Sequence, residues 1–97
     1  MSDPGPVEVA DNPGQHRYEA RVDGEVAGYV FYQARPDRLV LLHTEIAEEF
    51  EGHGVGGQLV AGTLQDIRER GLRVTALCPF AAAYIERHPE YSDLVAA

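Results

Sequence analysis

Four glycines stand within residues 52–57, in the stretch "FEGHGVGGQLV" that continues into a helical pattern. Glycine costs roughly 0.5–1 kcal/mol more than alanine inside regular structure, so such a cluster indicates unusual backbone angles or the close approach of a ligand. Where a loop meets the start of a helix, unpaired N–H groups and the helix dipole form an anion site without basic side chains. The cluster therefore predicts a phosphate-binding loop, with a tight strand-to-helix turn as the alternative.

Two common phosphate loops are excluded by residues that this stretch lacks. The dinucleotide fingerprint would need a third glycine after Gly54 and Gly56, where the chain has Leu59. The P-loop needs a lysine, but all 8 basic residues of the sequence are arginines. The absence of lysine also excludes pyridoxal enzymes, which bind their cofactor as a Schiff base.

Three residues near the ends of predicted strands could take part in chemistry. Cys78 is the only cysteine, so no internal disulfide can form, and it is either a small buried hydrophobic residue or a nucleophile. His43 is either a hydrogen-bonded core histidine or a general base. Glu45 is either a solvated charge or a group that attracts a cationic amine and takes its proton. The histidines and Cys78 lack metal-ligand spacing, so no zinc site is expected.

The composition describes one acidic domain. The 97 residues carry a formal net charge of −8, which suits a cationic partner and not the phosphate backbone of DNA or RNA. No apolar run is long enough to cross a bilayer, and the N-terminal residues do not form a signal peptide. We therefore expect a cytoplasmic protein with neither nucleic-acid nor membrane partners.

Hydrophobic patterning predicts four strands, at residues 17–22, 25–34, 39–46 and 72–78. Asp23-Gly24 indicates a type I′ hairpin between the first two strands, and the outer positions of the first strand should face water. The third strand is apolar enough to be deeply buried. Residues 1–14 show no periodicity, which predicts a disordered leader before a folded domain at residues 15–97.

A helix that begins near Gly56 and ends at Gly71 connects the third strand to the fourth. Strand, helix and strand in this order predict a parallel pair with a right-handed crossover. A short helix should follow at residues 80–87 and end before Pro89. The predicted fold is α/β, with a mostly antiparallel sheet that contains one parallel β-α-β pair.

Three segments in order, "LLHTEI", "GHGVGGQLV" and "LCPFAAAYIERHPEY", resemble the minimal branch of the GCN5-related N-acetyltransferases, whose members have about a hundred residues. The resemblance extends from about Tyr18 to Val95. It implies acetyl-CoA as cosubstrate and an amine as acceptor. The two parallel strands should splay apart at the coenzyme, with the main chain of residues 44–47 pairing to its pantetheine arm and the amides of residues 52–57 holding its pyrophosphate.

The resemblance also implies roles for individual residues. Those assigned to coenzyme binding are Thr44, Ile46, Ala47, Gly52, His53, Gly54, Val55, Gly56, Gly57, Pro79 and Phe80. Those assigned to catalysis are Cys78, His43, Glu45 and Tyr84. Cys78 either carries the acetyl group after activation by His43 or lines the thioester pocket while the amine attacks directly. Tyr84 either protonates the leaving thiolate or only packs its helix.

One position departs from the family pattern, because Glu51 stands where the family has arginine or glutamine. The acidic approach should weaken coenzyme binding without abolishing it. The hairpin at Asp23-Gly24 replaces the two helices that form the acceptor wall of larger relatives, so the acceptor site should be shallow and open. This suits an exposed amine on a protein or a polyamine. The alternative is a non-catalytic coenzyme A-binding or interaction module with the same fold.

Overall fold

One five-stranded sheet carries two helices on the same face. The computed structural model describes residues 6–96. Its elements are β1 (Val7–Asn12), β2 (Arg17–Val22), β3 (Glu25–Ala34), β4 (Arg38–Ile46), α1 (Val55–Glu69), β5 (Arg73–Ala76) and α2 (Pro79–Arg87), with 3-10 turns at Pro13–Gln15, Glu48–Phe50 and Pro89–Leu94. Within the described residues, no helix is both long and apolar enough to span a membrane.

The strands lie in the sheet in the order in which they occur along the chain. The pairs from β1 to β4 are antiparallel, and β5 pairs parallel to β4. The predicted mostly antiparallel sheet with one parallel β-α-β pair is therefore confirmed. Asp23 and Gly24 have φ angles of 53° and 81°, as a type I′ hairpin requires, and Gly71 follows α1 with φ of 71°.

The prediction of a disordered leader over residues 1–14 is wrong where β1 forms, while residues 1–5 lie outside the described residues. β1 pairs along its whole length with β2. It also packs on α1, where a Cβ added to Gly62 would lie 2.7 Å from the Cβ of Val9. The strand is only 6 residues long and stands between prolines, so its alternation is too short to identify from the sequence.

A network of polar contacts ties β1 and the sheet to α1. Arg70 contacts Asp11 at 2.7 Å and Asp66 at 3.0 Å. The Tyr18 hydroxyl donates to Asp66, and the Tyr32 hydroxyl donates to Asp11 at 2.6 Å. Burial and the bond to Asp11 raise the pKa of Tyr32 to about 12, so this hydroxyl stays a donor at neutral pH.

The alternation of side chains along each strand gives the sheet two different faces. The core face packs against both helices, and its cross-strand rows are Ala20, Gly28 and Ile46, and Tyr18, Val30 and Thr44. The opposite face is called the open face below, and its rows are Glu19, Tyr29 and Glu45, and Arg17, Phe31 and His43.

The prediction of a water-facing side for β2 is wrong for Glu19, whose exposed fraction is 5%. Its carboxylate accepts bonds from Arg17 at 2.8 Å, Arg21 at 2.9 Å and Asn12 at 3.1 Å. Burial alone would raise the pKa of Glu19, but these bonds to the charged form outweigh it and lower the pKa. The two arginines therefore shield the carboxylate that the alternation had assigned to solvent.

β4 is deeply buried only in its first half, in contrast to the prediction. Leu39 and Leu41 are buried, but Leu42 is 43% exposed. The register shifts here, because Phe31 pairs with His43 while Tyr32 pairs with Leu41. Leu42 is thus an unmatched residue, a β-bulge that changes which side chains face the core beyond it.

Candidate active site

The glycine loop owes its shape to two residues with left-handed backbone angles. Gly52 has φ of 81° and Gly54 has φ of 78°, a region that other residues adopt only with strain. They turn the chain from the 3-10 turn Glu48–Phe50 into α1, which begins at Val55. The tight strand-to-helix connection therefore explains two of the four glycines, Gly52 and Gly54.

A third glycine allows the two helices to meet beside the loop. A Cβ added to Gly56 would lie 2.6 Å from Cζ of Phe80, so a larger residue there would require the aromatic ring to move from its present position. A Cβ on Gly57 would be at 3.7 Å from Cε2 of Tyr84, an ordinary contact. The first turn of α1 is therefore packed against the side chains of α2, and Phe80 remains 45% exposed beside it.

An open cleft of about 610 Å³, called the loop cleft below, lies between the glycine loop and the end of β4. Its lining residues are Thr44, Glu45, Ile46, Phe50, Glu51, Gly52, Gly54, Val55, Gly56, Gly57 and Phe80. Within the described chain, no side chain caps the N-terminus of α1. The first-turn N–H groups and the positive end of the helix dipole thus remain at this cleft as an anion-binding element.

The loop cleft includes most of the residues assigned to coenzyme binding. Ala47, His53 and Pro79 do not line it, whereas Phe50 and Glu51 do. Phe50 was not predicted as a site residue. The available signal was its position, as the apolar residue between an acidic run and the first glycine.

The parallel pair separates at the loop cleft, as predicted. Pairing between β4 and β5 runs only from Arg38 to Leu41 on the β4 side. The Leu41 carbonyl accepts N–H bonds from both Leu77 and Cys78, each at 3.0 Å, and β5 leaves the sheet at this point. The end of β4 beyond the bulge therefore keeps an edge toward β5 that no described strand covers.

Cys78 lies on the core face with Thr44. Its exposed fraction is 2%, and its Sγ is 3.0 Å from Oγ1 of Thr44. The hydroxyl and the thiol therefore form one hydrogen-bonded pair, at the point where β5 and β4 separate.

His43 and Glu45 lie on the open face, so the structure does not bring them beside Cys78. Nε2 of His43 and Oε2 of Glu45 are 3.6 Å apart. The same Oε2 accepts a hydrogen bond from the Tyr29 hydroxyl at 2.8 Å. The structure therefore does not place His43 where it could activate the thiol. Two separate clusters form instead: Thr44 and Cys78 on the core face, and Tyr29, His43 and Glu45 on the open face.

Tyr84 lies on α2 near the first turn of α1. Its ring stacks on His88 with centroids 3.9 Å apart, and Nδ1 of His88 bonds to the Tyr84 carbonyl oxygen at 2.8 Å. Burial, with smaller contributions from Tyr91 and Glu90, raises the pKa of Tyr84. The phenol therefore keeps its proton at neutral pH, as a proton donor must.

Acidic side chains surround the entrance of the loop cleft. Glu45 and Glu51 line it, and the 3-10 turn adds Glu48 and Glu49 nearby. None of the arginines in the described residues lines the cleft. An anionic ligand would depend on main-chain N–H groups and the helix dipole, whereas a cationic ligand would be attracted to the rim.

Comparison with known proteins places these features in a family. Residues 17–94 match the family model described as GCN5-related N-acetyl-transferase. Protein NATD1 from Mus musculus is 24% identical over 87 residues, which cover 88% of this chain and 79% of that protein.

Two solved structures are similar in fold. A GCN5-like protein from Staphylococcus aureus, solved by NMR, has a TM-score of 0.70 at 22% identity and covers 100% of this chain and 92% of its own. A ribosomal-protein-alanine N-acetyltransferase from Brucella melitensis biovar Abortus 2308 has a TM-score of 0.59 at 20% identity, over 84% of this chain and 61% of its own.

Proposed function

Because the chain belongs to the GCN5-related N-acetyltransferase family, we propose that it transfers an acetyl group from acetyl-CoA to an exposed primary amine. The observation that carries this proposal is the loop cleft, where an uncapped helix start faces the free edge of a splayed strand. The helix start suits the phosphates of coenzyme A, and the free strand edge suits its amide-bearing pantetheine arm.

The residues of the cleft fit the coenzyme on chemical grounds. The main chain of residues 44–47 offers the edge of β4 for strand-like pairing, and the amides of residues 52–57 offer donors for the pyrophosphate. Phe80 adds an exposed aromatic ring beside the first turn of α1. Acetyl-CoA, when bound, supplies an acyl carbon attached to a sulfur leaving group.

Glu45 and Tyr84 would divide the proton transfers between them. The acceptor nitrogen must lose a proton to form its bond to the acyl carbon, and we assign this proton to Glu45, one of the two glutamates that line the loop cleft. The departing sulfur must gain a proton as its bond to carbon breaks. Tyr84, protonated at neutral pH and close to the start of α1, is our candidate for that donor.

The acceptor site is proposed to be shallow. β2 and β3 are connected directly by the hairpin at Asp23 and Gly24, so no helix stands between them as a wall. Such a site suits an amine that protrudes from a protein or from a polyamine-like chain.

Titration with coenzyme A tests the cosubstrate. We expect amide resonance shifts at residues 52–57 and a higher Tm, because a ligand at a hundredfold excess over its Kd adds about 2.7 kcal/mol to the free energy of unfolding. Thiol release from acetyl-CoA should then be saturable with one class of amine. Unchanged spectra at millimolar coenzyme A would contradict the proposal.

A non-catalytic coenzyme A-binding module is the second candidate, favoured by the acidic residues that line the cleft. It predicts coenzyme-dependent shifts with the same slow thiol release for every amine. Saturable release with one amine class distinguishes the enzyme from the module.

Glu51→Arg should tighten coenzyme A binding. Glu51 lines the loop cleft, and unit charges about 4 Å apart in water interact by about 1 kcal/mol. Reversing the sign of the charge therefore changes the interaction by about 2 kcal/mol, which is at most roughly thirtyfold in Kd. Glu49→Arg is the matched control, since it makes the same charge change at an exposed residue that does not line the cleft. Calorimetric Kd values that change equally in both variants would refute the local effect of Glu51.

Cys78→Ala should retain roughly a tenth or more of the wild-type turnover, because we propose direct attack by the amine. The Cys78 thiol is buried and hydrogen-bonded to Thr44 on the core face, whereas His43 lies on the open face. Mass spectrometry after incubation with acetyl-CoA alone should find no acetyl adduct on Cys78. A stable adduct, with near-complete loss of turnover in both Cys78→Ala and Cys78→Ser, would establish the acyl-enzyme route instead.

A further inference from the structure

A second cleft, of about 340 Å³, meets the loop cleft at the end of β4. We call it the side cleft; its lining residues are Val26, Ala27, Gly28, Tyr29, Glu45, Ile46, Ala47 and Glu48. Glu45 and Ile46 line both clefts. A molecule in the side cleft would therefore reach the loop cleft beside Glu45 and Ile46.

The Glu45 carboxylate is held through one of its two oxygens. Tyr29 is its cross-strand partner in the antiparallel register, and its hydroxyl donates to Oε2 at 2.8 Å. His43 approaches the same Oε2 from its own strand, at 3.6 Å. Among the described side chains, none bonds to Oε1, so this oxygen remains available to a hydrogen-bond donor of a ligand.

Tyr29 is itself held in place by its neighbours on the open face. The guanidinium carbon of Arg17 lies 4.4 Å from the centroid of the Tyr29 ring, and the Phe31 ring meets it edge-on at 5.1 Å. Arg17 in turn bonds to Glu19 at 2.8 Å, which offsets its charge. The aromatic face of Tyr29 is thus occupied, and its hydroxyl edge points to Glu45.

We propose that Tyr29 is a positioning residue that holds Glu45 with Oε1 directed toward a cationic primary amine entering through the side cleft. This inference rests on the proposed function, and it assigns the acceptor side of the same site. The bond to Glu45, with burial as a smaller cause, raises the pKa of Tyr29, so the hydroxyl remains a donor. Glu48, at the rim of the side cleft, adds negative charge that favours an ammonium group.

Tyr29→Phe should lower kcat/KM for the amine about tenfold, because it removes a hydrogen bond to a charged group while keeping the ring. The Kd of coenzyme A should stay within about twofold of the wild-type value, since Tyr29 does not line the loop cleft. Tyr32→Phe is the matched control: it also removes a hydrogen bond from a tyrosine hydroxyl to a carboxylate, that of Asp11, and neither Tyr32 nor Asp11 lines either cleft. It should lower Tm and leave kcat/KM unchanged.

A double-mutant cycle separates positioning from a merely structural role. In a Glu45→Gln background, Tyr29→Phe should change kcat/KM less than about twofold, because the charged group that Tyr29 positions is already gone. Additive effects of the two changes, or a wild-type-like Tyr29→Phe enzyme, would overturn the inference while leaving the proposed acetyl transfer intact.

A binding measurement covers the case in which no amine is acetylated. Titration with the diamine cadaverine should shift the amide resonances of Gly28 and Tyr29, and Glu45→Gln should abolish these shifts. Such shifts without any thiol release would support the side cleft as an amine site and refute only the acetyl transfer. Shifts that are absent, or that persist unchanged in Glu45→Gln, would refute the amine site.

Discussion

Glu45→Gln is expected to lower kcat/KM for the amine by about a hundredfold or more, the usual effect of losing a general base. Glutamine keeps the size of the side chain and an oxygen that can accept the bond from Tyr29, so the change isolates the negative charge and the proton acceptor. Because Glu45 is on an exposed part of the open face, Tm should change by only a few degrees. Steady-state kinetics with a varied amine measure the effect.

Glu49→Gln is the matched control for this loss. It makes the same chemical change within the acidic 3-10 turn, at a residue that lines neither the loop cleft nor the side cleft. Its kcat/KM should stay within about twofold of the wild-type value. A Glu45→Gln enzyme that loses less than about fivefold would contradict the proton-accepting role and favour Glu45 as a surface charge.

Local signals in the sequence were sufficient where each element carries its own pattern. Alternation predicted β2, a stretch apolar on both faces predicted β3, Asp23-Gly24 predicted the hairpin between them, and Gly71 predicted the end of α1. These signals depend on backbone angles and side-chain periodicity within a few residues. The glycine loop could also be predicted from local signals, because the positive φ angles of Gly52 and Gly54 are requirements of the loop itself.

The arrangement of the candidate catalytic residues depended on a non-local feature. With unbroken alternation, His43 and Glu45 would share the core face with Leu41 and so lie on the side of Cys78. The unmatched residue Leu42 moves both side chains to the open face. A bulge of this kind forms between two paired strands, so the sequence of β4 alone does not reveal it.

β1 and Tyr29 were missed because their significance comes from contacts with distant parts of the chain. β1 is stabilised by α1 through Gly62 and by the Asp11 contact with Arg70, which is 59 residues away. Tyr29 alone reads as one apolar residue of a strand, and only its register with Glu45 gives it a role. Long-range pairing, not local propensity, therefore determines the acceptor side of the site.

Gly28→Ala is expected to destabilise the fold and to damage the site together. A Cβ at this position would lie 2.6 Å from Cδ1 of Ile46 and 2.9 Å from the carbonyl oxygen of Glu45. The Ile46 side chain can rotate, but the carbonyl belongs to the β3–β4 pairing, so the end of β4 must shift. Overpacking of this kind costs about 1–3 kcal/mol. For a chain of this size, each kcal/mol lowers Tm by roughly 4–8 °C.

The effect of Gly28→Ala on catalysis should exceed its effect on folding, because the displaced carbonyl belongs to the residue that carries the proposed base. Well below the lowered Tm, where the variant is folded, kcat/KM should still fall at least about tenfold. Gly57→Ala is the stability control: its added Cβ would make an ordinary 3.7 Å contact with Tyr84 inside a helix, so Tm should hold or rise. A Gly28→Ala variant with the same Tm as the wild type would show that β4 accommodates the methyl group. In that case the close contact between Gly28 and the Glu45 carbonyl would not determine the position of β4 at the two clefts.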